Sequence, residues 1–214
     1  MSKFKAIIFD MDGVLVDTEH YYYDRRQQFL DSKGISIAHL SPLNFIGGNM
    51  KQVWQMILRD DYDNWDVPAL QAEYVQHKLD HPIPYDQLLF PDAVSTLEIL
   101  TAKGYQLGLA SSTAKVEILR ALKTTQLMPY FEVILSGDDF KESKPNPEIY
   151  RVAMAKLGVT PEETLIIEDS EKGIAAGVDS GATVWGIEDK RFGLDQSRAL
   201  LLFETLTQLL PHLS

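Results

Sequence analysis

Short apolar segments that end in polar residues recur along this chain of 214 residues. Buried strands are predicted at residues 4–9, 105–110, 133–135, 165–167 and 182–185. From residue 91 onward, helical patterns cover residues 91–103, 115–126, 147–157 and 174–178, and they alternate with the strands. Strands that alternate with helices are typical of a parallel sheet covered by helices on both faces. The sequence therefore predicts an α/β fold with a doubly wound parallel sheet.

The segment between the first and second predicted strands has only helical patterns. Helices are predicted at residues 18–33 and 67–79 and in the stretch that follows Asn49. The polar residues 60–66 predict a solvated loop. We therefore expect a core domain and a small all-helical domain inserted after the first strand, formed by residues 1–17 with 86–214 and by residues 18–85 respectively.

Composition excludes several classes of partner and of chemistry. A formal net charge of −11 speaks against nucleic acid or an anionic membrane as the main partner. The chain has no cysteine, which excludes disulfides, thiolate metal sites and cysteine nucleophiles. Only four apolar residues, 6–9, follow the polar start, too few for a signal peptide or a membrane span. We expect a cytoplasmic protein with a small-molecule partner, and no feature implies a protein partner.

Polar residues that could do chemistry lie at four strand ends or in the loops that follow. They are Asp10 and Asp12 after the first strand, Ser111, Ser112 and Thr113 after the second, Lys144 after the third, and Glu168 and Asp169 after the fourth. In open parallel sheets, ligands bind beyond the carboxyl ends of the strands. The four groups are therefore expected to meet at one site.

The close pair Asp10 and Asp12 needs a compensating partner, because the two carboxylates repel each other. Several carboxylate oxygens suit a hard cation such as Mg²⁺. A serine hydroxyl and the N–H groups at a helix start suit a phosphate, and a lysine adds positive charge. A carboxylate can also attack phosphorus and form an aspartyl-phosphate. The set predicts phosphoryl transfer that works by positioning and charge neutralisation.

Each of these groups alone has an ordinary structural interpretation, such as a turn, a helix cap or a solvated lysine. Together, the stretches DMDGV, LASS, SKPNPEIY and EDSEKGIAAG resemble the four motifs of the haloacid dehalogenase superfamily in order and spacing. The helical insertion is similar to the cap domain of the β-phosphoglucomutase-like branch, which includes phosphatases and phosphohexomutases. The resemblance implies a Rossmann-like core, Mg²⁺ as cofactor and an aspartyl-phosphate intermediate.

The resemblance also implies a role for each acidic motif residue. Asp10 is the expected nucleophile and a metal ligand. Asp12 is the expected general acid and base, with its backbone carbonyl on Mg²⁺. Asp169, together with Glu168, is expected to complete the metal site.

The remaining motif residues are expected to bind the phosphoryl group or the substrate. Ser111 and Lys144 resemble the phosphoryl-binding residues of the family, and we count them with the catalytic residues. Gly13, Gly47 and Ser112 are further candidates for contacts with the substrate or its phosphate.

The four motifs do not distinguish a phosphatase from a sugar phosphomutase, because both share the same steps up to the aspartyl-phosphate. Mutases of this branch are similar to one another in a histidine ten residues after the second aspartate and an arginine three residues after a cap glycine. Here those positions are Tyr22 and, counted from Gly47, Met50. The expected activity is therefore hydrolysis of a small phosphorylated metabolite such as a sugar phosphate. A β-phosphoglucomutase or a related mutase is the alternative, in which Lys51 or Lys78 would supply the missing charge.

A non-enzymatic alternative is a phospho-acceptor domain of a signalling protein. Such domains also carry acidic residues, a Ser or Thr and a Lys on a parallel sheet. They lack a helical insertion and place the acceptor aspartate well after an early acidic pair, so we give this hypothesis less weight.

Overall fold

The first predicted strand, β1, is Ala6–Phe9 and lies in the middle of a parallel sheet. The computed structural model describes residues 3–45, 50–191 and 193–213. The other strands in these ranges are β2 Gln106–Ser111, β3 Val133–Ser136, β4 Thr164–Glu168, β5 Thr183–Ile187 and β6 Leu201–Phe203. Their order is β3-β2-β1-β4-β5-β6, and every neighbouring pair is parallel. The predicted α/β fold is confirmed.

All of the predicted strands are present because each is a short apolar run that the sheet buries. The four side chains of β1 are fully buried, since strands flank it on both sides and helices cover the sheet. The sequence does not predict β6, which is three residues long and lies at the edge of the sheet. Its residues Leu201 and Leu202 are partly exposed, so the strand has no clear burial pattern.

Residues Thr18–Pro84 form a compact unit of their own, distinct from a unit that comprises Met1–Asp17 and Tyr85–Ser214. The described residues of the Thr18–Pro84 unit form α1 Glu19–Ser32, α2 Met50–Leu58 and α3 Val67–Asp80, with 3₁₀ segments at Pro42–Phe45 and Arg59–Asn64. The expectation of a loop at residues 60–66 is therefore wrong for most of that stretch. The role of a cap domain for residues 18–85 stays a prediction.

The helical unit has its own apolar core around Trp54. This side chain is only 1% exposed, and its ring packs edge-on against Tyr74. Its indole N–H donates a hydrogen bond to Gln71 Oε1 at 2.7 Å, so the one polar atom of the ring is paired. The Trp54 ring thus joins α2 to α3.

The unit that contains the sheet carries the remaining helices. They are α4 Tyr85–Leu88, α5 Ala93–Ala102, α6 Lys115–Thr124, α7 Glu148–Leu157 and α8 Glu171–Asp179, with 3₁₀ segments at Met128–Tyr130, Gly137–Asp139, Pro161–Glu163 and Leu206–Leu213. Tyr85 belongs to this unit, whereas the sequence predicts that the core resumes at residue 86. Within the described parts of the chain, none of the helices combines the length and the apolar character needed to cross a membrane.

The two chain segments that connect to the helical insertion lie side by side in the sheet unit. Val16 forms an antiparallel bridge with Leu89, and the Asp17 N–H donates to the Leu88 carbonyl at 2.7 Å. Arg191 Nη1 lies 2.9 Å from both carboxylate oxygens of Asp17. These contacts fix the points where the chain leaves the sheet unit and returns to it.

Helix α5 buries a threonine whose hydroxyl is unpaired. Thr96 is fully buried, and its Oγ1 has no hydrogen-bond partner among the residues that the structure describes. Thr125, which follows α6 and is also buried, instead donates its hydroxyl hydrogen to the carbonyl of Ala121 at 2.7 Å. The two buried threonines thus differ in whether the hydroxyl has a partner.

We predict that Thr96→Val stabilises the protein, because valine has nearly the same shape and removes the unpaired hydroxyl. A buried polar group without a partner costs about 1–3 kcal/mol, so the free energy of unfolding should rise by about 1 kcal/mol. The control Thr125→Val removes a buried hydroxyl that has a partner and should give no gain. Denaturant unfolding of both variants measures the difference, and a Thr96→Val protein no more stable than wild type contradicts the prediction.

Candidate active site

The carboxyl ends of neighbouring strands bring the predicted site residues together. Asp10 follows β1, Ser111 is the last residue of β2, and Glu168 is the last residue of β4. Lys144 reaches the same place from the loop before α7. The strand order reverses at β1, and such reversal points are where α/β sheets bind ligands. The four side chains are buried, so the sheet places them in one shielded site.

Lys144 connects the ends of three strands. Its ammonium donates to Asp10 Oδ1 at 2.7 Å and to Glu168 Oε1 at 2.6 Å. A third hydrogen bond, 2.9 Å long, goes to the main-chain oxygen of Ala110 in β2. Burial alone would lower the pKa of Lys144, but the charges of Asp10 and Glu168 outweigh burial and raise the pKa above its usual value. The ammonium therefore stays charged and fixed in direction.

Both carboxylate oxygens of Glu168 accept hydrogen bonds. Its Oε1 accepts hydrogen bonds from Lys144 and, at 2.7 Å, from the Tyr150 hydroxyl. Its Oε2 accepts from the N–H groups of Asp169 and Ser170 at 3.0 and 3.2 Å, and from the Ser170 hydroxyl at 3.2 Å. Both oxygens are thus occupied, and Glu168 acts as a fixed counter-charge for Lys144.

Asp12 faces the loop after β2. Its Oδ2 accepts a hydrogen bond from the Thr113 hydroxyl at 2.7 Å and a longer one from the Ser111 hydroxyl at 3.4 Å. The Ser111 oxygen in turn accepts the Thr113 N–H at 3.1 Å. The predicted acid/base residue and a predicted phosphate-binding serine are therefore in direct contact.

The turn after β1 passes very close to Asp169. Gly13 has a φ of +76°, and a Cβ at this position would overlap the Asp169 carboxylate. Glycine is the residue that allows both the left-handed backbone and the close approach. From another direction, Gln196 Nε2 donates to the main-chain oxygen of Asp169 at 2.5 Å. Asp169 is thus held beside the turn that carries Asp12.

Asp10, Glu168 and Asp169 form a buried acidic cluster. Each offers one carboxylate oxygen, and these oxygens lie within 4.8 Å of one another. Burial raises the pKa of Asp10 to about 8; Lys144 opposes this shift, and Glu168 and Asp12 add to it. Lys144 pairs with two of these three buried carboxylates, so the cluster carries excess negative charge, and it offers only oxygen ligands. This combination fits a hard divalent cation such as Mg²⁺.

Of the other predicted substrate contacts, Ser112 forms a hydrogen bond with the loop before α7, and Gly47 cannot be placed. The Ser112 hydroxyl oxygen accepts a hydrogen bond from the Ser143 hydroxyl at 3.2 Å and so faces the loop that carries Lys144. Gly47 lies outside the described residues, and so do the side chains of Met50 and Lys51.

Sequence reasoning gave no role to several residues that shape the site. Tyr150 is part of the stretch SKPNPEIY, and it faces the sheet from the first turn of α7. Burial and the charge of Glu168 raise the pKa of its hydroxyl, which therefore stays a hydrogen-bond donor. Thr113 stands in the second polar group, but no pattern distinguishes it from Ser112. Gln196 follows no motif, and its contact with Asp169 depends on the tertiary fold.

Comparison with known proteins agrees with the geometry. The sequence profile of the haloacid dehalogenase-like hydrolases matches residues 7–187. The chain is 30% identical over 205 residues to the phosphorylated carbohydrates phosphatase of Thermotoga maritima, covering 92% of this chain and 90% of that protein. It is 29% identical over 187 residues to the phosphoglycolate phosphatase of Aquifex aeolicus, covering 85% of each. The β-phosphoglucomutase of Clostridium difficile shares the fold, with a TM-score of 0.79 at 23% identity over 96% of this chain and 93% of that one.

We predict that Asp10→Asn stabilises the metal-free protein at alkaline pH. Because the folded-state pKa of about 8 lies above the ordinary 3.8, the folded state holds a proton between these pH values, and stability falls as the pH rises through them. Asparagine is neutral throughout and removes this loss.

Thermal unfolding of both proteins in EDTA, at about pH 5 and about pH 8, measures the effect, and Mg²⁺ is then added to each. The advantage of Asp10→Asn should appear at the higher pH, and Mg²⁺ should stabilise wild type more than the variant. A metal-free wild type that is the more stable protein at the higher pH, or equal stabilisation of both by Mg²⁺, would contradict the electrostatic account of the cluster.

Proposed function

Because the chain belongs to the haloacid dehalogenase-like hydrolase family, we propose that it is a Mg²⁺-dependent phosphatase that acts through an aspartyl-phosphate on Asp10. Its substrate is a small phosphorylated metabolite such as a sugar phosphate. The observation that carries the proposal is the buried contact between Lys144 and Asp10, which holds the carboxylate in one orientation beside a positive charge. A phosphoryl group needs both a nucleophile and a cation at such a site.

In the first step, the Asp10 carboxylate attacks the phosphorus atom of the substrate. A bond forms between Asp10 and phosphorus, and the bond from phosphorus to the leaving alcohol oxygen breaks. Asp12 donates its proton to that oxygen, so the product leaves as a neutral alcohol. Ser111 donates a hydrogen bond to the phosphoryl oxygens during the transfer, and the charge of Lys144 beside Asp10 attracts them.

In the second step, a water molecule attacks the phosphorus of the aspartyl-phosphate. Asp12, now ionised, accepts a proton from the water, and the bond between phosphorus and Asp10 breaks. Inorganic phosphate leaves, and both carboxylates return to their starting states. Asp12 therefore acts once as an acid and once as a base.

The proposed metal ligands are the carboxylates of Asp10 and Asp169 and the main-chain carbonyl of Asp12. Glu168 lies in the same cluster, but its hydrogen bonds make it better suited to orient Lys144. When bound, Mg²⁺ neutralises the charge of the transferring phosphoryl oxygens. Gly13 supports this arrangement, because it lets the Asp12 turn approach Asp169.

Hydrolysis is favoured over mutase activity by the relatives and by the insertion. The two relatives at 29–30% identity are both named phosphatases, whereas the mutase at 23% identity informs only the fold. Tyr22 and Met50 also stand where a mutase is expected to carry histidine and arginine. The proposal keeps residues 18–85 as a cap that selects the substrate. It places the enzyme in the cytoplasm, without a nucleic-acid, membrane or protein partner.

The covalent mechanism predicts that Asp10→Asn neither turns over nor becomes labelled, because an amide is a very poor nucleophile. Asp12→Asn should slow turnover ~10²–10⁴-fold, the usual contribution of general acid–base catalysis. Rapid quenching with a ³²P-labelled phosphomonoester measures labelled protein, and treatment with hydroxylamine identifies an acyl phosphate. The substrate panel is a set of sugar phosphates together with phosphoglycolate. Turnover of Asp10→Asn at a rate comparable to wild type would exclude this nucleophile.

If water accepts the phosphoryl group, the enzyme should release free phosphate and should not isomerise a sugar phosphate. The enzyme is incubated with β-glucose 1-phosphate and a trace of glucose 1,6-bisphosphate, and glucose 6-phosphate and free phosphate are followed separately. The Asp10→Asn protein is the control for contaminating activities. Glucose 6-phosphate that forms much faster than free phosphate would establish the mutase alternative instead.

A further inference from the structure

The shortest described hydrogen bond of the Asp12 side chain comes from Thr113, not from Ser111. The Thr113 hydroxyl lies 2.7 Å from Asp12 Oδ2, whereas the Ser111 hydroxyl lies 3.4 Å from the same oxygen. At the longer distance a hydroxyl contributes little to holding a carboxylate in place. Thr113 is therefore the stronger of the two constraints on Asp12.

The main chain of Thr113 is itself fixed on both sides. Its N–H donates to Ser111 Oγ at 3.1 Å, and its carbonyl accepts the hydroxyl of the buried Ser136 at 2.7 Å. Ser136 Oγ also accepts the N–H of Asp138 at 3.1 Å, so Ser136 is held in turn. The Thr113 hydroxyl thus projects from a backbone that β2 and β3 fix together.

A hydroxyl suits a residue that must hold Asp12 in two protonation states. It donates its hydrogen to an ionised carboxylate, and it can rotate to accept a hydrogen from a protonated one. A lysine or arginine at the same place could only donate, and would favour the ionised form alone. The β-branched threonine also has few side-chain rotamers, so the hydroxyl loses little freedom in forming the contact.

We propose that Thr113 is a positioning residue that holds the Asp12 carboxylate in place for both proton transfers. This inference rests on the proposed function, because it needs Asp12 to act as general acid and base. Without the hydroxyl, Asp12 remains present but is no longer held toward the reacting oxygen. Steps that need a proton from or to Asp12 should slow, and a step that needs no proton transfer should not.

The test compares wild type, Thr113→Val and Thr113→Ser with two substrates in single-turnover experiments. One is the alkyl phosphomonoester of the panel above that wild type hydrolyses fastest; its alcohol needs a proton to leave. The other is p-nitrophenyl phosphate, whose nitrophenolate leaves without one. The control Thr125→Val removes a buried hydroxyl that donates to the Ala121 carbonyl in α6, away from the site.

For Thr113→Val we expect formation of the aspartyl-phosphate from the alkyl substrate to slow about 10- to 100-fold, the scale of one hydrogen bond to a charged group. The release of nitrophenolate should keep nearly its wild-type rate, while the following hydrolysis of the aspartyl-phosphate slows by a similar factor. Thr113→Ser, which keeps the hydroxyl, should restore both slow steps. Thr125→Val should leave the ratio of the first-step rates for the two substrates unchanged.

If Thr113→Val slows the first step equally with both substrates, Thr113 has only a structural role. If Thr113→Val has wild-type rates, Thr113 has no role in positioning Asp12. Either result overturns the proposal. If Thr113→Val does not fold, as judged by its circular dichroism, Thr113→Ala is compared with Thr113→Ser in the same way. Failure of the proposed function gives a different result. Wild type would then form no labelled aspartyl-phosphate, or Asp12→Asn would not change the ratio of the first-step rates for the two substrates.

Discussion

The ammonium of Lys144 is the interaction on which the geometry of the site depends. It lies inside the protein, in contact with Asp10, Glu168 and the main chain of β2. A buried charge is tolerated only when its partners are in place, and removal of one partner from such a pair typically costs about 3–5 kcal/mol. Because these partners come from three neighbouring strands, the ends of the sheet and the site form one structure.

The four carboxylates of the site differ in what they contact, although they are chemically alike. Glu168 is saturated by hydrogen bonds and orients Lys144. Asp169 lies against the turn at Gly13, and Asp12 faces the hydroxyls of the loop after β2. Different surroundings can give chemically identical groups different roles, which would allow one site to hold the proposed nucleophile, acid and metal ligands together.

The helical unit uses two of its cations in its own structure. Arg25 is buried and donates to the main-chain oxygen of His81 at 3.1 Å, and the guanidinium of Arg26 lies 4.3 Å from the centre of the Phe45 ring. Both therefore serve packing within the unit. A second phosphate, as in a mutase intermediate, would need further positive charge in the proposed cap. This use of the arginines supports the proposal that the enzyme hydrolyses its substrate.

The sequence alone determined the α/β class, the parallel sheet and which polar residues follow its strands. Apolar runs that end in Asp10, Ser111 and Glu168 can be read without coordinates, because burial requires apolar strands and parallel strands end at one edge. The edge strand β6 escaped prediction because three residues carry too little pattern. Only the tertiary structure decided which oxygen meets which donor. The contacts of Tyr150 with Glu168, of Thr113 with Asp12 and of Gln196 with Asp169 join segments far apart in the chain, and side-chain hydrogen bonds between such segments leave no periodic signal in the sequence.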